Sequence, residues 1–256
     1  MSTRAESRPA RPAPVQPPPR RRAPLPRDAT RRRRRLAVVL GIVVALAAVA
    51  WGVSVSPLLD VDHVRIRGLH HLTAAEIERA AGIHPGDAMA WLDPSRAVRD
   101  VEALPYVGRA AVSREWPDTV RITVHERRPV AWVDGPGGKA VVDGTGRVVE
   151  SVPAPPAGLP QLLGVQTVTA PGGTIGPRDG ARAAAGLGGF VAGGTASVET
   201  TDHGVVLHLR SGAEIRLGPP TRVAVKVRAA LAVLGASAGT EVHYVDVSVP
   251  TNPVAG

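Results

Sequence analysis

A continuous apolar segment, Leu36 to Val55, constrains this chain more than any other feature of its sequence. None of its twenty residues is charged, and Leu, Val, Ile and Ala make up most of it. Twenty helical residues rise about 30 Å, which matches the hydrocarbon thickness of a bilayer. The sequence therefore predicts one transmembrane helix over residues 36–55, with Trp51 near an interface, where aromatic rings are enriched.

Positive charge lies on one side of this segment. Arg31 to Arg35 precede it directly, whereas Asp60 and Asp62 come before Arg65, the first cation that follows it. Lys and Arg that flank a span are retained in the cytoplasm. We therefore expect residues 1–35 inside and the bulk of the chain outside, which is the topology of a single-pass type II membrane protein.

A cleaved secretory signal is the competing interpretation of the same segment. Ala48-Val49-Ala50 resembles a small-residue cleavage site, and Thr30-Arg31-Arg32 resembles the start of a twin-arginine signal. The apolar core of a signal is usually about 7 to 15 residues long, and this run continues past Ala50 to Val55. The length favours a retained span.

The net charge of the chain comes from its first 35 residues. The sequence has 31 Lys and Arg against 22 Asp and Glu, a net charge of +9, but residues 1–35 contain twelve Arg against two acidic residues. The other 221 residues therefore sum to −1, and aromatic residues make up 3% of the chain. A nucleic-acid-binding domain concentrates cations and stacking aromatics on its folded surface, so we expect no nucleic-acid partner.

Residues 1–35 consist mainly of Pro, Arg and Ala. Such a segment cannot bury enough apolar surface to offset its ordering entropy, which predicts a disordered cytoplasmic tail. A Pro-rich ligand segment is the alternative.

The chain contains no cysteine, so the outer region has neither disulfides nor thiolate metal sites and must be held together by packing. Its length allows one larger core or two smaller ones, and the order of elements favours two.

The first part of the outer region predicts the order strand, helix, helix, strand, strand. A short strand around Val64 precedes Thr73-Ala74-Ala75-Glu76, which has the spacing of a capping box, and Asp93-Pro94 is a typical start for the second helix. Val107 to Glu115 and Thr119 to Arg127 then form a hairpin around a Trp-Pro-Asp loop. This order is that of a compact α+β module.

The second part predicts short strands separated by glycine-rich turns, with two helices among them. In the second helix, Thr221 to Leu234, an apolar stripe leaves Lys226 and Arg228 outside it. The final strand is predicted at Val242 to Val249. The other predicted elements are strands at 130–133, 140–142, 148–149, 196–200, 205–209 and 214–217, a loop at 153–160 and a weaker helix at 179–192.

Few residues suggest catalytic chemistry. Gly235 to Gly239 matches the nucleophile-elbow pattern Gly-x-Ser-x-Gly, but that motif needs a strand before the serine, and here a predicted helix precedes Ser237. The eight histidines show no His-Glu-x-x-His spacing, and the neighbours His70 and His71 would point in different directions. We therefore expect no enzyme activity, no metal, no cofactor and no small-molecule substrate. Free strand edges favour a membrane-tethered protein that binds other proteins.

Several stretches resemble the bacterial FtsQ (DivIB) family of cell-division proteins. They are Leu104 to Val107, Ala110 to Val120, Val124 to Trp132, Val142 to Gly146 and Leu159 to Leu162. The resemblance implies an α+β fold, with a POTRA domain at 58–128, a β-rich domain with two helices at 129–250 and a C-terminal tail at 251–256. It also implies a noncatalytic scaffold of the divisome at the septum of the cell membrane.

The same resemblance implies partners and a binding strand. In this family the last strand of the β domain accepts a segment of FtsB, a small single-pass protein in complex with FtsL, by strand addition. The alternating pattern suggests that Asp246 and Ser248 face away from Val245 and Val247. For Val245 and Val247, burial in the core is the alternative to contact with a partner. The matching positions here are Val245, Asp246, Val247, Ser248 and Val249, and Glu126 lies where the family places partner contacts near the domain junction.

Two other functional hypotheses remain from the sequence. One is a membrane-anchored outer-surface hydrolase or sensor that uses Ser237 or a histidine cluster. The other is a transport POTRA protein of an outer membrane, although the chain lacks the alternating strands of about ten residues that a barrel would need.

Overall fold

The computed structural model describes residues 27–54, 59–188, 194–237 and 242–256. These residues belong to two compact units, one ending at Gly52 and the other beginning at Val53, and each is considered by itself.

Helix α1, Arg27–Ser54, makes up the described part of the first unit, and its last two residues belong to the second. The helix begins nine residues before the predicted span, so the last part of the predicted disordered tail, from Arg27 to Arg35, is helical, in keeping with the high helix propensity of Arg. Across the described part of the chain, no helix combines the length and the apolar composition that a membrane crossing requires. The predicted disorder of residues 1–26 and the predicted end of the span at Val55 lie outside the described residues.

The second unit begins with a three-stranded sheet covered by two helices. Its strands are β1 (His63–Arg67), β2 (Val107–Glu115) and β3 (Thr119–Glu126), in the order β1-β3-β2. Strand β1 is parallel to β3 and β2 is antiparallel to it. Helices α2 (Ala74–Ala81) and α3 (Pro94–Glu102) pack their apolar residues on one face of this sheet.

Local hydrogen bonds fix both helices as the sequence predicts. The Thr73 hydroxyl accepts the backbone N–H of Glu76, and the Glu76 carboxylate accepts the backbone N–H of Thr73 at 2.8 Å. The Asp93 carboxylate accepts the N–H groups of the first turn of α3, that of Ser95 at 2.9 Å. Gly82 ends α2 in the left-handed conformation, with φ of 61°. These caps satisfy backbone groups that a helix end leaves unpaired.

A nine-stranded sheet follows, and its own hydrophobic cluster is separate from that of the first sheet. Helices α4 (Asp179–Gly186) and α5 (Val223–Ala236) contribute buried residues to that cluster. The strand order is β12-β11-β10-β9-β8-β7-β4-β5-β6. The strands are β4 (Pro129–Gly135), β5 (Gly138–Asp143), β6 (Val148–Val152), β7 (Gln161–Leu163), β8 (Thr195–Thr201), β9 (Gly204–Leu209), β10 (Glu214–Gly218), β11 (Tyr244–Asp246) and β12 (Val254–Ala255).

The sequence predictions and the second sheet differ at its shortest elements. Strand β7, which is parallel to both β4 and β8, was not predicted, because three residues give no recognisable alternation. Strand β11 is shorter than the predicted strand 242–249, and the predicted C-terminal tail contains β12. Helix α4 ends at Gly186, and residues 189–192 of the predicted helix lie outside the described residues.

The sequence interpretation of Lys226 as a side chain off the apolar stripe of α5 was wrong. This lysine is buried, with 3% of its surface exposed. Its ammonium group donates to the carbonyl oxygens of Leu217, at 2.7 Å, and Pro219, at 2.9 Å. Burial lowers the pKa of Lys226, and the nearby charge of Arg222 acts in the same direction. Helical periodicity alone could not reveal these acceptors, because they lie at the end of β10.

An ion pair joins the end of β3 to the turn between β5 and β6. Arg127 donates to the Asp143 carboxylate at 2.7 Å, and the two side chains are 19% and 5% exposed. The same carboxylate accepts the backbone N–H groups of Thr145, at 2.8 Å, and Arg147, at 3.0 Å. Burial acts to raise the pKa of Asp143, but the hydrogen bonds from Thr145 and Arg127 hold that pKa below its ordinary value. Asp143 therefore organises the turn and its link to the first sheet.

We expect Asp143→Asn to lower the free energy of unfolding by about 2 to 3 kcal/mol, because Arg127 then remains largely buried without its counter-ion. The matched control is Asp134→Asn in β4, whose carboxylate pairs with Lys139 but is 62% exposed. That change should stay within about 0.5 kcal/mol. Urea unfolding followed by tryptophan fluorescence measures both variants, and equal losses would contradict a special role for Asp143.

Candidate protein-binding site

The predicted binding strand does not lie at the edge of its sheet. Strand β11 is parallel to β10 on one side, where Ile215 pairs with Val245, and antiparallel to β12 on the other. Val245 and Val247 are fully buried in the core of the second sheet. Both backbone sides of β11 are therefore occupied, and β12 is the edge strand at this end of the sheet.

Strand β12 is short and is held by backbone hydrogen bonds to β11. Gly256 donates its N–H to the carbonyl oxygen of Tyr244 at 3.1 Å, and its own carbonyl oxygen accepts the N–H groups of His243 and Tyr244 at 2.8 and 3.0 Å. In an antiparallel pair, the backbone N–H and C=O groups of successive residues point alternately toward the partner strand and away from it. Since Gly256 and Val254 face β11, the backbone N–H and C=O of Ala255 point to the outer edge.

Exposed apolar side chains flank this edge. Val249 is 58% exposed and Val254 is 52% exposed, although both are aliphatic. On the neighbouring strands β10 and β11, the Arg216 guanidinium lies over the ring of Tyr244, 4.1 Å from its centroid. An unpaired strand edge beside exposed apolar side chains is the geometry that accepts an additional strand.

Asp246 and Ser248 form the turn that leaves β11. The Asp246 carboxylate accepts the backbone N–H of Ser248 at 2.8 Å. Hydrogen bonds from the hydroxyl and N–H of Ser248 lower the pKa of Asp246, and the charges of Arg216 and Lys226 lower it further. Ser248 and Val249 are exposed, so they are the members of the predicted set that a partner can reach directly.

Glu126, the remaining predicted contact, lies at the end of β3 and binds a loop of its own domain. Its carboxylate accepts three successive backbone N–H groups, those of His70 at 3.0 Å, His71 at 2.8 Å and Leu72 at 2.9 Å. Partial burial acts to raise the pKa of Glu126, but these three donors hold the pKa below its ordinary value. Among the described residues, no hydrogen bond or ion pair joins Glu126 to the segment 245–249.

The loop that Glu126 holds is part of a junction that the sequence did not predict. The ring of His71 stacks on Tyr106, with centroids 3.9 Å apart, and the Tyr106 hydroxyl donates to Glu150 of β6 at 2.5 Å. Burial raises the pKa of Tyr106, and the hydrogen bond to Glu150 raises it further. Tyr106 also packs against Val141 and Val149, so it connects the first sheet with the second.

The residues considered for catalysis show no catalytic arrangement where they are described. Ser237 caps the C-terminal end of α5 and donates its backbone N–H to Val233, so a helix precedes it, whereas a nucleophile elbow requires a strand. Residues 238–241 of the glycine-rich loop lie outside the described residues. Within the described ranges, no group of His, Asp and Glu side chains lies close enough together to hold a metal ion.

Similarity to known proteins identifies the family of this chain. Residues 59–127 match the model of the POTRA domain, FtsQ-type. The chain is 34% identical over 243 residues to the cell division protein FtsQ of Streptomyces bingchenggensis. The matched region covers 91% of this chain and 88% of the relative. The chain belongs to the FtsQ family of cell-division proteins.

Further FtsQ relatives support the same assignment. The FtsQ proteins of Streptomyces venezuelae and of an Anaeromyxobacter species are 29% and 32% identical, over 87% and 73% of this chain. These matches cover 83% and 70% of the relatives, so they extend well beyond the POTRA domain. The resemblance found in the sequence is therefore confirmed, as are the POTRA domain and the α+β fold.

We expect Glu126→Gln to lower the free energy of unfolding by about 1 kcal/mol at neutral pH, because the three N–H donors lose a charged acceptor that is only partly shielded from solvent. The folded-state pKa of Glu126 is depressed, so its contribution is fully present above the unfolded-state pKa and disappears as the pH falls through the folded-state value. The difference between wild type and Glu126→Gln should therefore shrink below about pH 4.

Unfolding measured at several pH values tests this expectation. Glu78→Gln in α2 is the matched control, since the carboxylate of Glu78 forms no hydrogen bond or ion pair with any other described residue. A Glu126→Gln difference that stays constant from neutral to acidic pH would contradict the assigned role.

Proposed function

We propose that this FtsQ-family protein is a noncatalytic, single-pass scaffold of the division machinery that recruits other single-pass proteins at the septum. The observation that carries this proposal is the edge of the nine-stranded sheet at β12, where the outward backbone groups of Ala255 lie beside the exposed side chains of Val249 and Val254. Main-chain hydrogen bonds at such an edge give affinity, and the flanking side chains give specificity.

The proposed partner is an FtsB-like segment, presented in complex with an FtsL-like protein. It adds to the outer side of β12, and its side chains then contact Val254 and the exposed turn residues Ser248 and Val249. Asp246 shapes that turn, while Val245 and Val247 support the edge from the core. The predicted positions 245–249 thus lie behind and beside the proposed contact.

Glu126 belongs to the proposal in a different way. Its carboxylate is committed to the N–H groups of His70, His71 and Leu72, so we assign it a positioning role for this exposed loop. Any partner that touches the domain junction would meet the loop backbone and the His70 side chain in the arrangement that Glu126 fixes.

The proposed anchor is the apolar segment Leu36 to Val55, which would contact the lipid bilayer. Its support is the uncharged run of twenty residues, with Arg31 to Arg35 on its N-terminal side. The proposed topology places residues 1–35 in the cytoplasm and both sheets outside. We propose the POTRA domain at 58–128 and the β domain from 129, with β12 included at its end.

A single substitution tests the binding edge. Ala255→Pro removes the N–H that points away from β11 and leaves the hydrogen bonds of Gly256 and Val254 to β11 possible. We expect this variant of the full chain to lose capture of the FtsB-like and FtsL-like proteins from membranes by at least tenfold. Ala255→Ser, which keeps the N–H, should retain capture.

The folding of each variant is checked by its thermal unfolding. Wild-type capture by a folded Ala255→Pro protein would refute strand addition at β12. Loss of capture in Ala255→Ser as well would indicate a contact with the side chain and would also count against the backbone mechanism.

A further inference from the structure

The three-stranded POTRA sheet has one open face, and that face is cationic. Helices α2 and α3 cover the face that carries the buried residues Val120, Ile122 and Val124. Because side chains alternate across a strand, the residues between these positions face the other way. The basic residues on the open face are His63, Arg65 and Arg67 of β1, Arg121 and His125 of β3, and Arg109 of β2.

Most of these cations have no acidic partner. Arg65, Arg67 and Arg109 are exposed, and none of them forms an ion pair with a described residue. Arg121 pairs with Glu115 at 2.5 Å, and Glu115 is the acidic residue that the open face provides. Since the chain beyond residue 35 sums to −1, this face concentrates positive charge on a nearly neutral region. The usual consequence of such segregation is selection of an anionic partner.

The cations also border a free strand edge. Strand β1 is the outer strand of the order β1-β3-β2, and its pairing partner within the described residues is β3. Arg65 and Arg67 are two residues apart on β1, so they repeat with the period of an extended strand, about 6.6 Å. A strand added beside β1 would present its own alternate side chains on the same face with the same spacing.

We propose that the β1 edge of the POTRA domain binds an extended acidic segment of a partner protein, by strand addition. Backbone hydrogen bonds to β1 place alternate Glu or Asp side chains of that segment opposite Arg65 and Arg67, within the range of cross-strand ion pairs. Arg121 and Arg109 extend the positive field across the sheet. The open backbone edge of β1 favours an extended peptide over a lipid surface or a nucleic acid, because neither of those can continue a ladder of backbone hydrogen bonds.

This site is independent of the proposed edge at β12, because it lies in the other sheet. Failure of FtsB-like capture would leave it unaffected. Equally, Ala255→Pro should not change binding at β1.

A labelled peptide in which Glu and Val alternate serves as the probe, with the full chain in detergent and fluorescence anisotropy as the readout. We expect the double variant Arg65→Glu, Arg67→Glu to weaken binding of this peptide by at least tenfold at about 0.15 M salt, where the Debye length is about 8 Å. The matched control is Arg79→Glu, Arg99→Glu, which makes the same change in net charge at exposed positions on the helix side that also form no ion pair with a described residue. That control should bind within about twofold of wild type, because exposed charges farther away than the Debye length are largely screened.

A second probe separates strand addition from simple charge attraction. The same peptide with N-methyl groups at alternate residues keeps every carboxylate but cannot donate the ladder hydrogen bonds. Loss of binding by this peptide supports the proposal, and the neutral variant Arg65→Gln, Arg67→Gln should show an intermediate loss. Equal binding of the methylated peptide, equal loss in the helix-side control, or no measurable binding of the first peptide would each overturn it.

Discussion

The ion pair between Arg127 and Asp143 is the contact on which the arrangement of the two sheets depends. Only Arg127 and Arg128 separate β3 from β4, so the direction in which the chain leaves the POTRA domain is set at these residues. The Asp143 carboxylate pairs with Arg127 and also accepts backbone N–H groups of the turn after β5. The residues between β3 and β4 are therefore connected to the second sheet. Tyr106 adds a second tie through Glu150 and an apolar contact around Val141. The buried Asp143 and the largely buried Arg127 are stable there because both carboxylate oxygens have donors.

Both proposed binding surfaces are strand edges, yet different features limit unwanted strand pairing at each of them. The β12 edge is short and apolar, so it offers few backbone groups and depends on Val249 and Val254 for contact area. The β1 edge is longer and carries Arg65 and Arg67. Repulsion between these cations on two copies of β1 opposes their pairing with each other. Charge that prevents nonspecific pairing at an edge also selects a strand of opposite charge. One sequence feature therefore serves both solubility and specificity.

The sequence predicted the POTRA domain far better than the end of the β domain. Thr73, Asp93 and the alternation of β2 and β3 are local signals, and a capping residue or a nine-residue strand is recognisable from its neighbours alone. Strands β7 and β12 have three and two residues, and their pairing is decided by tertiary contacts that a sequence window does not contain. Lys226 was misplaced for a related reason, because the carbonyl groups that accept its hydrogen bonds lie at the end of the preceding strand, β10, outside the helical pattern.

Among the residues inferred for partner binding, some are exposed and others are already committed to contacts within the fold. The resemblance placed Glu126 and the segment 245–249 in one functional set, but Glu126 directs its carboxylate at the loop 70–72, and Val245 and Val247 are core residues. A substitution at any of these three positions would act on a partner through the backbone it holds in place. Such effects depend on stability and on pH, whereas loss of the outward N–H of Ala255 would not. The distinction follows from which polar groups are already satisfied, and that is a property of the folded chain.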